Sequence, residues 1–189
     1  MTKKLPFLAY ACILAVAATS CNHARQGWWP RSLDAVSGAT RYGKFKAEHY
    51  RKVDAVNKIA DFLEKSGPFF FATADKDQPR VRPIGIYQKY DNKIWFHVGK
   101  QKDSYRQLLN NPNIEIVSIS KEKDGGWIRL TGRAVPVNDA ELDKLVFEKA
   151  PGLKNMYNEK TGFTLGHFYI QNGTAEISAA DGTVYRFEF

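Results

Sequence analysis

The residues best suited to chemistry lie between Arg80 and Trp127. One strand-like stretch carries Arg80 and Arg82, and a later one carries Phe96 and His97. A glycine-containing turn then presents Lys100 and Lys102 just before a short helical segment. Cations on neighbouring strands, a glycine turn and a helix start suit a phosphate group. Lys and Arg supply charge-assisted hydrogen bonds, and the turn exposes backbone N–H groups. Tyr87, Trp95 and Trp127 supply aromatic surface on which a flat heterocycle can pack. On pattern alone, the same cations also describe an ordinary solvated strand face. The four histidines, His23, His49, His97 and His167, show no metal-ligand spacing, and no Gly-x-Ser-x-Gly elbow supports a hydrolase.

The elements that position these residues follow from periodicity and turn chemistry. Val53, Val56, Ile59, Ala60 and Leu63 repeat at helical spacing. Ser66-Gly67-Pro68 is expected to end that helix, with Gly67 in a left-handed cap. Strands are predicted over 69–74, 80–87, 93–98, 114–119, 127–135, 168–170, 175–178 and 184–189. Pro83 marks its strand as an edge or a bulge. In the third strand Ile94, Phe96 and Val98 face one way, and Trp95 and His97 the other. A short helix is expected over 104–109. Another should begin after Asn138, with Glu141 placed for a capping box and Leu142, Leu145 and Val146 turned inward. Asn172-Gly173 and Asp181-Gly182 predict hairpins. Many short strands with few helices indicate a mainly β fold with flanking helices, arranged as a small barrel.

Two segments carry a family likeness, residues 69–120 and residues 125–135. Their order is a strand with Arg82-Pro83, the pair Phe96-His97 before a Gly/Lys turn, a helix ending in Asn110-Asn111-Pro112, and a late strand with Leu130-Thr131-Gly132. From about Val53 to Phe189 the chain resembles the pyridoxamine 5'-phosphate oxidase-like superfamily of FMN-binding split barrels. The resemblance implies a six-stranded split β-barrel, a homodimer, and FMN in a groove at the subunit interface. Arg82, Pro83, Ile84 and Tyr87 would then line the flavin, with Arg82 reaching its phosphate. Phe96 and His97 would stand at an aromatic-hydroxyl pair, with His97 replacing the hydroxyl. Gln101 and Lys102 would occupy an Arg-Lys phosphate pair, where Gln101 departs from the pattern, Lys102 matches it and Lys100 can compensate. Trp127 would replace a glutamine at the flavin ring. The C-terminal stretch that holds the pyridoxal substrate in vitamin-oxidising members does not precede Phe189, so oxidation of pyridoxamine phosphate is not expected.

The N-terminus gives expectations of a different kind. Lys3 and Lys4 precede an uncharged apolar run, residues 5–18, which has the secretory pattern and is shorter than the roughly 20 residues a membrane span needs. Ala18-Thr19-Ser20-Cys21 resembles a bacterial lipobox, which would make residues 1–20 a signal peptide and Cys21 the lipidated first residue of the mature protein. With Cys12 removed and Cys21 acylated, no disulfide or zinc knuckle remains possible. Residues 21–45 read as a tether and 46–189 as the split-barrel domain. Within the tether, Trp28-Trp29 could anchor at a lipid interface or pack on the barrel. Asp34 to Thr40, "DAVSGAT", resembles the acceptor motif at which a flavin transferase links FMN to the last threonine through a phosphodiester, here Thr40. Export also removes nucleic acid as an explanation of the net charge of +8. Together these features predict a lipid-anchored, periplasm-facing envelope flavoprotein acting on a small redox substrate. The alternative is a non-catalytic module that binds flavin or heme.

Overall fold

The chain from Phe45 onward alternates β-branched and aromatic residues between tight turns, and the structure, a computed structural model, follows that pattern. It describes residues 45–123 and 125–189. The export segment, Cys21, Trp28-Trp29 and the motif ending at Thr40 lie outside the described residues. In chain order the elements are β1 (Phe45–Ala47), α1 (Lys52–Glu64), β2 (Phe69–Asp75), β3 (Gln78–Ile84), β4 (Tyr87–Tyr90), β5 (Lys93–Gly99), α2 (Asp103–Asn110), β6 (Asn113–Ile119), β7 (Trp127–Val137), α3 (Ala140–Lys149), a 3-10 turn (Pro151–Asn155), β8 (Leu165–Ser178) and β9 (Val184–Glu188).

Nine strands join in one sheet ordered β1-β9-β8-β7-β6-β2-β3, with β5 pairing β8 and β4 pairing β5. The expected count was six, and this path does not close on itself. The reason lies partly in β3. Pro79 and Pro83 sit opposite Ala74 and Phe70 of β2, and a proline has no N–H to offer a second neighbour. β3 therefore forms an edge, as Pro83 suggested.

The other departure is β8. The predicted hairpin at Asn172-Gly173 does not form, and one strand runs through it from Leu165 to Ser178. Asn172 takes a positive φ of 50°, and the pairing of β7 with β8 shifts register between Thr131 and Arg133. The turn-prone pair thus bends a strand rather than reversing it. At this bend β8 changes its second neighbour, from β5 over Leu165–Tyr169 to β9 over Thr174–Ser178.

The core is aromatic. Phe71, Phe96 and Phe168 are fully buried, with Phe96 stacked on Phe168 at 5.6 Å between centroids and against Phe71 at 4.7 Å. α1 closes one side through Ala55, Val56, Ile59, Ala60 and Leu63. Val53 is exposed, so the inward stripe is displaced from the expected one toward Ala55. The helix ends at a C-cap on Lys65, whose φ is −87°, and Ser66 then bridges Ser120. No left-handed Gly67 is needed. α3 is capped by Asp139, whose carboxylate accepts from the Glu141 N–H at 2.9 Å.

Candidate functional site

The site is built where α2 crosses β2 and β3. Arg82 and Thr73 point to the inner face of the sheet, because Arg82 pairs with buried Phe71 and Thr73 lies two residues along β2. Arg82 Nη1 donates to Thr73 Oγ1 at 2.8 Å, and Nη2 donates to Gln107 Oε1 at 2.9 Å. Thr73 donates its own hydroxyl proton to the same Gln107 oxygen at 2.7 Å. Thr73 and Gln107 are buried, while Arg82 is half-buried with its guanidinium 6.0 Å from the Phe71 ring centroid. Burial and the neighbouring Arg80 both lower the Arg82 pKa. Among the described residues no carboxylate forms an ion pair with Arg82, in contrast to Arg80 and Arg106, which both reach Asp75. A partly desolvated cation, aimed by two neutral oxygens and retaining other N–H donors, is suited to an external anion.

Lys102 supports the same assignment. It is the exposed N-cap of α2, about a turn and a half from Gln107, and it forms no ion pair among the described residues. Gln101 is exposed beside it, and its amide fills the space above Gly99. Lys100 turns aside, donating to Asn138 Oδ1 at 3.3 Å.

The remaining expected residues are distributed around this centre. Ile84 packs on the core, and Pro83 is exposed on the outer face. The Tyr87 hydroxyl faces α1, at 3.0 Å from the Ala60 carbonyl and 2.7 Å from Glu64 Oε1. Phe96 is a core residue. His97 lies on the opposite face of β5, hydrogen-bonded to His167, which in turn faces Asp143 of α3. Trp127 stands on the outer face of β7, opposite Ile119, with the Arg129 guanidinium 5.2 Å from its ring centroid. One chain does not bring Trp127 to Arg82.

Thr73 and Gln107 were missed by pattern reading. Their signal was present in the polar residues at inward positions of α2, where Ser104, Gln107 and Leu108 are the buried set. A buried glutamine needs a partner, but its identity required the β2–β3 register.

An open, mainly β sheet with three helices thus carries a basic edge whose Arg82 is aimed by buried neutral groups. The model of the family described as pyridoxamine 5'-phosphate oxidase matches residues 55–162, and the chain belongs to that family. Among solved structures, a NimC/NimA family protein from Clostridium acetobutylicum is 33% identical over 73% of this chain and 94% of its own, with a TM-score of 0.66. General Stress Protein 26 from Bacillus anthracis is 17% identical over 66% of this chain and 95% of its own, with a TM-score of 0.52, and shares the fold. No curated protein matches the chain.

Proposed function

We propose that this protein is an exported, lipid-anchored flavoprotein that holds FMN by its phosphate at Arg82 and Lys102. Its proposed role is that of an oxidoreductase or electron carrier for a small molecule, and not that of a pyridoxamine phosphate oxidase. The observation that carries this reading is the Arg82 node, a cation held by Thr73 and Gln107 with no carboxylate ion pair among the described residues, in a family whose members typically bind flavin. The residues fit the group. Arg82 spends one N–H on each neutral oxygen and keeps the rest for a phosphate, and Lys102 adds a second free cation. Bound flavin would supply the redox chemistry, while this chain positions it and sets its surroundings.

A homodimer is part of the same proposal. Phe70, Val81 and Ile119 lie on the outer face of β2, β3 and β6 and are 48%, 63% and 62% exposed. An exposed apolar band of this kind suits a partner surface. Trp127 shares that face, so a second copy would offer its own Trp127 from outside. The acceptor motif ending at Thr40 would add a covalently held FMN, and Cys21 would tether the protein to the envelope.

The test is the absorbance spectrum of the purified mature protein, before and after denaturation. Flavin bands that bleach with a reductant support the proposal, and a Soret band replaces it with heme handling. A colourless protein that leaves added FMN fluorescence unquenched overturns it. Mass spectrometry of the Thr40 peptide decides the covalent part, which fails if no mass of one FMN is added. Sedimentation of wild type against Ile119→Glu decides the dimer, which fails if the wild type is already monomeric.

A further inference from the structure

The face of β4, β5 and β8 turned away from the aromatic core carries a second polar site. Gln88 on β4 pairs with Trp95, and His97 on β5 pairs with His167 on β8. Gln88 and His97 are therefore diagonal neighbours on one face. They are only 8% and 7% exposed, yet Gln88 Oε1 and His97 Nε2 are both buried without a hydrogen-bond partner. Buried polar atoms in native proteins are nearly always satisfied by protein, ligand or ordered water.

The state of His97 follows from a chain that starts near the surface. His167 Nε2 lies 3.2 Å from Asp143 Oδ1, and Asp143 is about half exposed. An ionised carboxylate can only accept, so His167 carries its proton on Nε2. Neutral His167 then presents a lone pair at Nδ1, which lies 2.9 Å from His97 Nδ1. His97 must donate there, which leaves its Nε2 as a bare lone pair. Burial lowers the pKa of both imidazoles; His167 and the Lys149 cation add to the effect on His97, and for His167 burial and the Lys100 cation outweigh the opposing Asp143. These cations also disfavour a positively charged guest.

We propose that His97 Nε2 and Gln88 Oε1 form a buried binding site for a small neutral group that donates two hydrogen bonds, either a water molecule or the primary amide end of a ligand. Asp143 and His167 are positioning residues that fix the His97 tautomer. The arrangement also provides a route for a proton. One taken up at His97 Nε2 releases the Nδ1 proton to His167 Nδ1, and His167 passes its Nε2 proton to Asp143. Each imidazole gains one proton and loses one, and the carboxylate becomes protonated. The site uses neither Arg82 nor Lys102, so it stands whether or not FMN binds there.

The test is histidine nitrogen NMR on the full mature chain without added cofactor. His97 should be protonated at Nδ1 and His167 at Nε2. Asp143→Asn removes the charged acceptor from a half-exposed position and should shift the His97 tautomer ratio roughly tenfold, with melting little changed. Formamide is the neutral two-donor probe. A saturable shift at His97 Nε2 that is lost in Gln88→Leu assigns the site to a ligand group. No shift, together with one ordered water between the two atoms in a high-resolution crystal structure, assigns it to water. Three results overturn the proposal: Nε2 protonation in the wild type, no tautomer change in Asp143→Asn, or neither a probe shift nor an ordered water.

Discussion

Replacing Arg82 by Met separates binding from folding because of how the Arg82 node is wired. Methionine keeps an unbranched stem against Phe71 and removes only the guanidinium. The two buried partners are not orphaned, since the Thr73 hydroxyl still donates to Gln107 Oε1 at 2.7 Å. Two hydrogen bonds from a partly desolvated cation are lost, and the cost of holding that charge is lost with them. The net stability change should stay within about 1 kcal/mol. Binding should change far more. A charge-assisted contact to phosphate is worth about 2–3 kcal/mol, so the Kd for FMN should rise roughly 30- to 150-fold. Quenching of FMN fluorescence measures the affinity, and thermal melting with and without FMN gives a second readout. At a concentration near 100 times the wild-type Kd, FMN should stabilise the wild type by about 2.7 kcal/mol and the variant by well under half of that. Arg82→Lys, which keeps a charge, should fall between them. A normally folded Arg82→Met protein whose Kd lies within threefold of wild type would refute the argument that this guanidinium holds the phosphate.

Further expectations concern the same framework. Tyr87→Phe deletes the hydroxyl that bridges the Ala60 carbonyl and Glu64, and chemical denaturation should show a loss of about 1–2 kcal/mol; an unchanged urea midpoint would mean that the bridge contributes nothing. Burial holds His97 neutral in the fold, with its pKa pushed down to about 3, whereas an unfolded imidazole titrates near 6.5. Below that pH the unfolded chain binds a proton that the folded chain does not. Stability should therefore fall with acidification across this window, by up to about 1.4 kcal/mol per pH unit from His97 alone, with His167 acting in the same direction. Equal urea midpoints at pH 7 and pH 5 would contradict this. Gly126 has φ of +66°, and a Cβ there would stand 1.7 Å from the Ser178 carbonyl oxygen. Gly126→Ala should cost about 3 kcal/mol or more, and a melting temperature close to wild type would show that the turn relaxes.

The strands could be read from the sequence because their signals are local. Phe69–Asp75 and Asn113–Ile119 alternate between strong turns, Lys93–Gly99 is a short aromatic and branched run between turns, and Pro83 announced an edge. What failed depended on distant partners. Asn172-Gly173 has the chemistry of a hairpin, yet β7 on one side and the exchange of β5 for β9 on the other keep the strand running through the bend. The alternation of Phe96 and His97 was correct, but a face carrying Trp95 and His97 did not reveal that both would be buried. Arg82 stood out as a cation after a strand-forming run. Thr73 and Gln107, which aim it, are 34 residues apart and meet only through tertiary packing. Between His97 and His167, 70 residues of sequence conceal a direct cross-strand pair.

The fork at β8 also bears on how the molecule is made. β5 has only β4 beside it until Leu165 emerges, and β7 waits for the same segment on its second edge. In chain order that segment is made only after β1–β7 and all three helices. Until then the nascent chain holds several open ladders and half of the His97–His167 pair. Completion is therefore a late, long-range event, and a chain truncated before Leu165 should remain in an assembly-incompetent, protease-sensitive state.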